Sequence, residues 1–311
     1  MRAPLLSPLR RVSPASITAQ PHGPGDNLRG AGFMTLSMLG FGCNDAAMKF
    51  VMQEMPLYQA ITLRGLVVLV AIWLLALREG GLRLRLSPPA RRPMALRVLG
   101  EVGSTVLFLN ALQVIAIGDL SAVMQSLPLV VMLGAALFFG ETLGWRRTSA
   151  VVVGLLGVMI ILRPGSGTFG IWSLVALGAV LLIALRDLVT RNFGREVSSA
   201  TIAFYAAAAV TGMGLIGSLW QGWVMPSPMQ LALILLAGGF LTIGYVSAVT
   251  AMRVGEISYV APFRYASLIV AILAGLLVFG EWPDFWTWLG SGLVVGAGVY
   301  VIWREAQLGR R

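Results

Sequence analysis

Residues 255–281 read GEISYVAPFRYASLIVAILAGLLVFGE. An acidic turn opens the stretch, a proline and an arginine follow inside an apolar run, and FGE closes it. Residues 118–141, GDLSAVMQSLPLVVMLGAALFFGE, repeat that plan. Ungapped pairing of 110–123 with 247–260 matches Ala111 with Ala248, Gly118 with Gly255, Ser121 with Ser258 and Val123 with Val260, and Asp119 with Glu256 in charge. Either stretch alone is an apolar helix. Together they say that the chain carries one plan twice.

Composition identifies the solvent. Hydrophobic residues make up 57% of the 311 and charged residues 12%, with a mean hydropathy of +0.83. Soluble domains carry roughly 25% charge, so this is a polytopic membrane protein whose partner is the lipid bilayer. A net charge of +10 would suit nucleic acid in a soluble chain. Here the arginines fall between apolar runs and read as topology charges, so no nucleic-acid partner is expected. The lone cysteine, Cys43, lies in an apolar run, which leaves no disulfide framework and no Cys-based metal site.

Residues 1–27 are rich in Pro, Ser and Arg and lack the apolar core of a signal peptide. They read as a disordered cytoplasmic tail, with an arginine-rich transit peptide as the alternative. Ten apolar runs follow: 28–51, 56–77, 94–117, 120–139, 145–162, 169–185, 200–220, 229–252, 257–279 and 285–303. Each is near the spanning length of about 20 residues. None alternates with period two, so helices are expected rather than barrel strands.

Loop charges test this count. Cations stand before and at the start of the first run (Arg2, Arg10, Arg11, Arg29), after the second (Arg78, Arg83, Arg85, Arg91, Arg92), the fourth (Arg146, Arg147), the sixth (Arg191, Arg195), the eighth (Arg253) and the tenth (Arg304, Arg310, Arg311). The alternate loops hold Glu54, Asp119, Glu281 and Asp284, with Arg163 the exception. The pattern places both termini in the cytoplasm. Five spans per half is an odd number, so the halves enter the membrane from opposite sides. The expected fold is all-α: ten transmembrane helices as two inverted five-helix repeats, 28–163 and 164–304, with a short tail at 305–311. Many secondary transporters are built so, with the site near the midplane where the halves meet.

Charges inside the spans carry whatever chemistry exists, because each costs about 2.5–3.5 kcal/mol at the bilayer centre unless partnered or hydrated. At about 1.5 Å per residue, Arg64 lies roughly 12 Å from the outer surface, and Glu101 and Arg264 roughly 10 Å from the inner one. Glu101 and Arg264 could therefore face each other. In one reading Arg264 and Arg64 receive an anionic or carbonyl-bearing substrate while Glu101 pairs with Arg264 or carries a proton. In the other, a closed Glu101–Arg264 pair only orients helices. Thr105 shares a helical stripe with Glu101, and Gln125, Tyr245, Tyr259 and Phe263 could extend the surface. Aromatics beside an arginine suit a planar ligand, although Ser, Thr and Tyr also serve as interhelical hydrogen-bonding groups.

Asp45 precedes Lys49 by four residues and Asp187 precedes Arg191 likewise, each pair on one helix face, for anchoring or for gating. Pro128 and Pro262 each remove a backbone hydrogen bond, so a bend or hinge is expected there. Gly292 and Gly296 form a small-residue face that could join two copies in a homodimer or pack inside the bundle. Lys49, the only lysine, follows Met48, so the ATP phosphate loop is missing. His22, the only histidine, lies in the tail. No enzyme activity, metal or cofactor is expected.

NDAAMK, PLYQAITLRG, GDLSAV with its following LP and FGE, and GEISYVAPFRY with its FGEWPD resemble the EamA type of the drug/metabolite transporter superfamily over residues 28–304. The resemblance implies a bacterial inner-membrane carrier of a small molecule, with the third, fourth, eighth and ninth helices lining a central cavity. The ND–K and APFRY forms are similar to branches that take up riboflavin or S-adenosylmethionine; other branches export amino acids.

Overall fold

The computed structural model describes residues 24–78, 81, 82, 84–139, 144–163, 170–190, 193, 197–255 and 257–308, and among these every regular element is helical. The expected tail at 1–27 lies almost wholly outside them, as do Arg191 and Glu141. Helix α1 (Pro24–Val51) is followed by α2 (Leu57–Arg78), α3 (Pro88–Val114), α4 (Ile117–Met124), α5 (Leu127–Phe139) and α6 (Trp145–Leu162). The second half gives α7 (Ile171–Thr190), α8 (Ser199–Gln221), α9 (Pro228–Val254), α10 (Ile257–Val260), a 3₁₀ segment (Ala261–Tyr265), α11 (Ala266–Ala274), a π turn (Gly275–Phe279) and α12 (Phe285–Leu308). Where a tail was expected from residue 305, the helix continues to Leu308.

Among the described residues, nine spans are long and apolar enough to cross a membrane. The tenth is α1, whose hydropathy is diluted by Asn44, Asp45 and Lys49. Helix starts are capped from the sequence. Ser227 and Gln230 form a reciprocal capping box on α9, and the Ser198 hydroxyl accepts from the Thr201 amide on α8. Proline follows Ser87 at the start of α3, where a missing N–H costs nothing.

Each half's fourth span is broken at its proline. Pro128 would clash with the carbonyl four residues back, Met124, and Met124 is where α4 ends. In the second half Pro262 sits inside the 3₁₀ segment. In both halves the α-helix is interrupted at the proline.

The packing carries the repeat. The main partners are α1 with α9, α3 with α7, α2 with α8 and α6 with α12. Exchanging the halves turns α1–α9 into α7–α3 and maps α2–α8 and α6–α12 onto themselves. The lesser contacts obey the same exchange: α1–α11 answers α5–α7, and α2–α9 answers α3–α8. One end of the bundle holds both chain termini. At the other, called the far end below, α1 finishes and α12 begins; the expectation of cytoplasmic termini would put that end outside.

The α6–α12 contact depends on missing side chains. A Cβ on Gly290 would lie 2.5 Å from the Gly157 carbonyl oxygen, and one on Gly157 would lie 2.7 Å from that of Gly290. Backbone cannot yield as a side chain can, so Gly290→Ala is expected to cost about 1–3 kcal/mol, read as a fall in Tm of the purified protein. Gly292 and Gly296 meet nothing within 4 Å. They face outward rather than pack inside the bundle, so Gly292→Ala should leave Tm unchanged. Exposed Trp145 and Trp303 at one end, and Trp220, Trp223, Trp282 and Trp286 at the other, mark the two interfacial belts.

Candidate functional site

Two cavities meet inside the bundle. The first, about 180 Å³, is lined by α1, α2, α3, α7, α8 and α9, and contains Asn44, Asp45, Arg64, Arg97, Glu101, Ser104, Thr105, Phe108, Arg186 and Tyr245. The second, about 270 Å³, lies among α1, α3, α4, α5, the 3₁₀ segment, α11 and α12. Its wall is chiefly apolar, with Met38, Phe41, Leu112, Met124 and Tyr265, and carries Ser121, Gln125, Arg264 and Ser267. Asp45 and Phe108 line both and form the divide. Phe41 of the second cavity meets Tyr245 of the first edge to face, with ring centroids 5.5 Å apart.

Glu101 is the best-partnered charge in the site. Its carboxylate lies 3.1 Å from Arg186 Nη1 and 3.5 Å from Arg97 Nη2, and accepts from the Tyr245 hydroxyl at 3.4 Å. Arg186 also donates to Asp187 at 2.9 Å, and Arg97 to the Thr190 hydroxyl at 2.8 Å. A ladder of four alternating charges thus ties α3 to α7. Its formal sum is zero. The Glu101–Arg264 pairing expected from equal depth does not form: Arg264 is on the wall of the other cavity. Depth along a helix says nothing about azimuth around it.

Arg64 is different. It is 7% exposed, its Nη1 donates one long hydrogen bond of 3.3 Å to Asn44 Oδ1, and its Nε has no partner. No carboxylate lies within 4 Å of it among the described residues; its nearest counter-charge, Asp45, acts at longer range. Asp45 itself accepts one hydrogen bond, from Asn44 Nδ2 at 2.9 Å. The cavity therefore contains one carboxylate flanked by two arginines, with both of its hydrogen bonds on Oε1, and one with no ion pair among the described residues.

Other expected residues fall as follows. Thr105 lines the first cavity, and Gln125 and Pro128 the second, where Gln125 donates to the Ser267 hydroxyl at 2.7 Å. Tyr259 and Phe263 are 46% and 37% exposed, stack on each other at 6.1 Å and line neither cavity. Tyr265, 7% exposed, takes the inward place. Asp45 and Lys49 do not pair. Lys49 reaches Glu281 at 2.6 Å and donates to the Ile115 carbonyl at 2.9 Å, while the other Glu281 oxygen accepts from the Ile117 amide at 2.9 Å. Asp187 is taken by Arg186, and Arg191 lies outside the described residues. No group of His, Cys, Asp and Glu among them could hold a metal ion.

The far end is knit between the halves. Besides Lys49–Glu281, Gln59 exchanges two hydrogen bonds with Val224, Gln230 donates to Glu54, and Arg163 pairs with Asp284.

The chain has relatives of this build. It is 31% identical to a riboflavin transporter of Vibrio cholerae over 61% of its length, an alignment spanning 64% of that protein, a little under two thirds. It is 24% identical to an S-adenosylmethionine uptake transporter of Rickettsia felis over 90% of this chain and 94% of that one. A pseudopaline exporter of Pseudomonas aeruginosa is 27% identical over 84% of this chain and 92% of its own. A solved crystal structure superimposes with a TM-score of 0.63 over 89% of this chain and 96% of that one, at 18% identity, a likeness of fold alone. The model of the EamA-like transporter family matches twice, over residues 28–163 and 170–304, and on that match across both halves the chain belongs to the EamA-like transporter family.

Proposed function

We propose that the chain is a secondary transporter of the bacterial inner membrane that takes up a neutral, planar, hydrogen-bonding metabolite, riboflavin first, by alternating access. The observation that carries this is the charge count around Arg64. The wall carries Arg64, Arg97 and Arg186 against Asp45 and Glu101, and Asp187, paired with Arg186 behind the wall, brings the formal sum to zero, so the site is neutral yet holds unspent guanidinium donors. A ligand with carbonyl acceptors satisfies those donors without adding net charge. Its ring system has an aromatic and thioether-lined slot next door, between Phe41, Phe108, Met124 and Tyr265. The riboflavin-transporter relative supports the same choice.

A second reading, a metabolite that carries both a carboxylate and a cation such as S-adenosylmethionine, is favoured by the separated charges of Arg64 and Asp45. A thermal-shift panel on purified protein separates the two. Stabilisation by riboflavin alone supports the first, stabilisation by S-adenosylmethionine alone the second, and stabilisation by neither rejects both.

Alternating access requires the far end to open, and Lys49–Glu281 holds it shut. Lys49→Met is expected to expose the second cavity from that side. With Cys43 replaced by Ala and Ser121 by Cys, a membrane-impermeant thiol reagent should then label from outside about tenfold faster, the equivalent of about 1.4 kcal/mol of bias. Equal labelling rates with and without Lys49 would reject the gating role.

A further inference from the structure

Glu101 is badly placed to change its protonation, because two arginines flank it and a tyrosine donates to it. Asp45 stands on the divide between the cavities with one amide donor and no ion pair among the described residues. We infer that Asp45 is the proton-binding group of a proton-coupled cycle, and that substrate engaging Arg64 drives proton uptake there, so that proton and substrate cross together. This rests on the proposal that substrate binds at Arg64.

The physical chain is short. Arg64 is the charge that favours ionised Asp45, and it does so from beyond contact distance. A ligand carbonyl or carboxylate that draws the guanidinium donors adds negative potential beside Asp45 and displaces the water that hydrated it. An unpaired carboxylate in such a place is cheaper neutral. By linkage, the occupied site binds one more proton than the empty one.

The surrounding charges point the same way. Arg64 faces Asp45 from α2, Arg97 and Glu101 from α3, Arg186 from α7, Tyr245 from α9, and Arg264 and Tyr265 from the 3₁₀ segment. On α1 itself Lys49 is committed to Glu281. The Arg97 and Arg186 charges are spent on Glu101 and Asp187, which leaves Arg64 as the main lever. The proton comes from the aqueous phase to which the site is open and returns to the opposite phase after the substrate leaves. One positive charge therefore moves with each neutral substrate. A ligand that instead placed a cation or an N–H donor on Asp45 would stabilise the ionised form, and the coupling would run as exchange.

The experiment uses the full-length protein in detergent with riboflavin. Dissociation constants are measured from pH 5.5 to 8.5, and proton uptake on ligand addition is followed with a dye in weak buffer. The expected result is affinity falling as pH rises, approaching tenfold per unit, with up to one proton taken up per ligand. Asp45→Asn should flatten the profile, and the control Asp119→Asn should keep it. A flat wild-type profile, proton release on binding, or an unchanged slope in Asp45→Asn would overturn the coupling while leaving the substrate reading intact. Absence of riboflavin binding would overturn the substrate reading and the coupling with it.

Discussion

Glu101→Gln is expected to reduce transport at least a hundredfold and to lower the Tm of the purified protein. The substitution keeps the size and one acceptor but strips the counter-charge from between Arg97 and Arg186, both largely buried. Removing one partner of a buried ion pair costs about 3–5 kcal/mol, because the remaining charge is left uncompensated. Asp187 still holds one side of Arg186, so the loss falls mainly on Arg97 and on the tie between α3 and α7. A second substitution checks the cause. Arg97→Gln added to Glu101→Gln removes the surplus cation, and the double variant should be more stable than the single. If it were less stable, charge balance would not be what the ladder provides.

Arg64→Ala should separate binding from stability. Its donors are under-used in the empty site, so deleting them removes a buried charge that little compensates. Tm should hold or rise. Ligand affinity should fall by about 2–5 kcal/mol, some thirty- to several-thousandfold, as when one member of a buried charged hydrogen-bonded contact is removed. Arg64→Lys should not restore it, since a point charge lacks the planar fork. Ligand-induced thermal shifts measured on the three proteins decide the matter. A large Tm loss with unchanged ligand shift would make Arg64 a structural residue.

The fold was legible because a bilayer leaves so few choices. Ten apolar runs and the doubled GDLSAV and GEISYV stretches sufficed for the spans and their repeat. The site was read less well, for reasons that can be named. Ending the sixth run at Leu185 left Arg186 outside the membrane, although α7 continues to Thr190 and Arg186 is the main partner of Glu101. Arg97 was readable four residues before Glu101, where a helix puts them together. A four-residue helical period puts Tyr259 and Phe263 on one face, but residues 261–265 are 3₁₀, which re-phases that face and brings in Tyr265. Lys49 had a neighbour of the right sign one turn away and chose Glu281, 232 residues on. Local spacing proposes partners, and only the packing of distant spans disposes them.

The ninth span has one more consequence. Its 3₁₀ segment is wound tighter than an α-helix and its π turn looser, and α11 lies between them. At 3.0 against 3.6 residues per turn, five residues of 3₁₀ advance the helix by about 100° more than five of α. The two departures are opposite in sense, so the ends of the span stay nearly in phase while α11 is turned as a barrel between two bearings. Relaxing the 3₁₀ segment to α would swing Ser267 and Ala271 more than a quarter turn away from the second cavity, with little change in the length of the span. Thiol labelling at Ser267→Cys in a Cys43→Ala background would report that rotation as ligand-dependent protection. Among the described residues of the first half no such pair of segments occurs, and a short turn at Gln125 and Ser126 joins α4 to α5. One half would then behave as a key turning in the frame that the other provides.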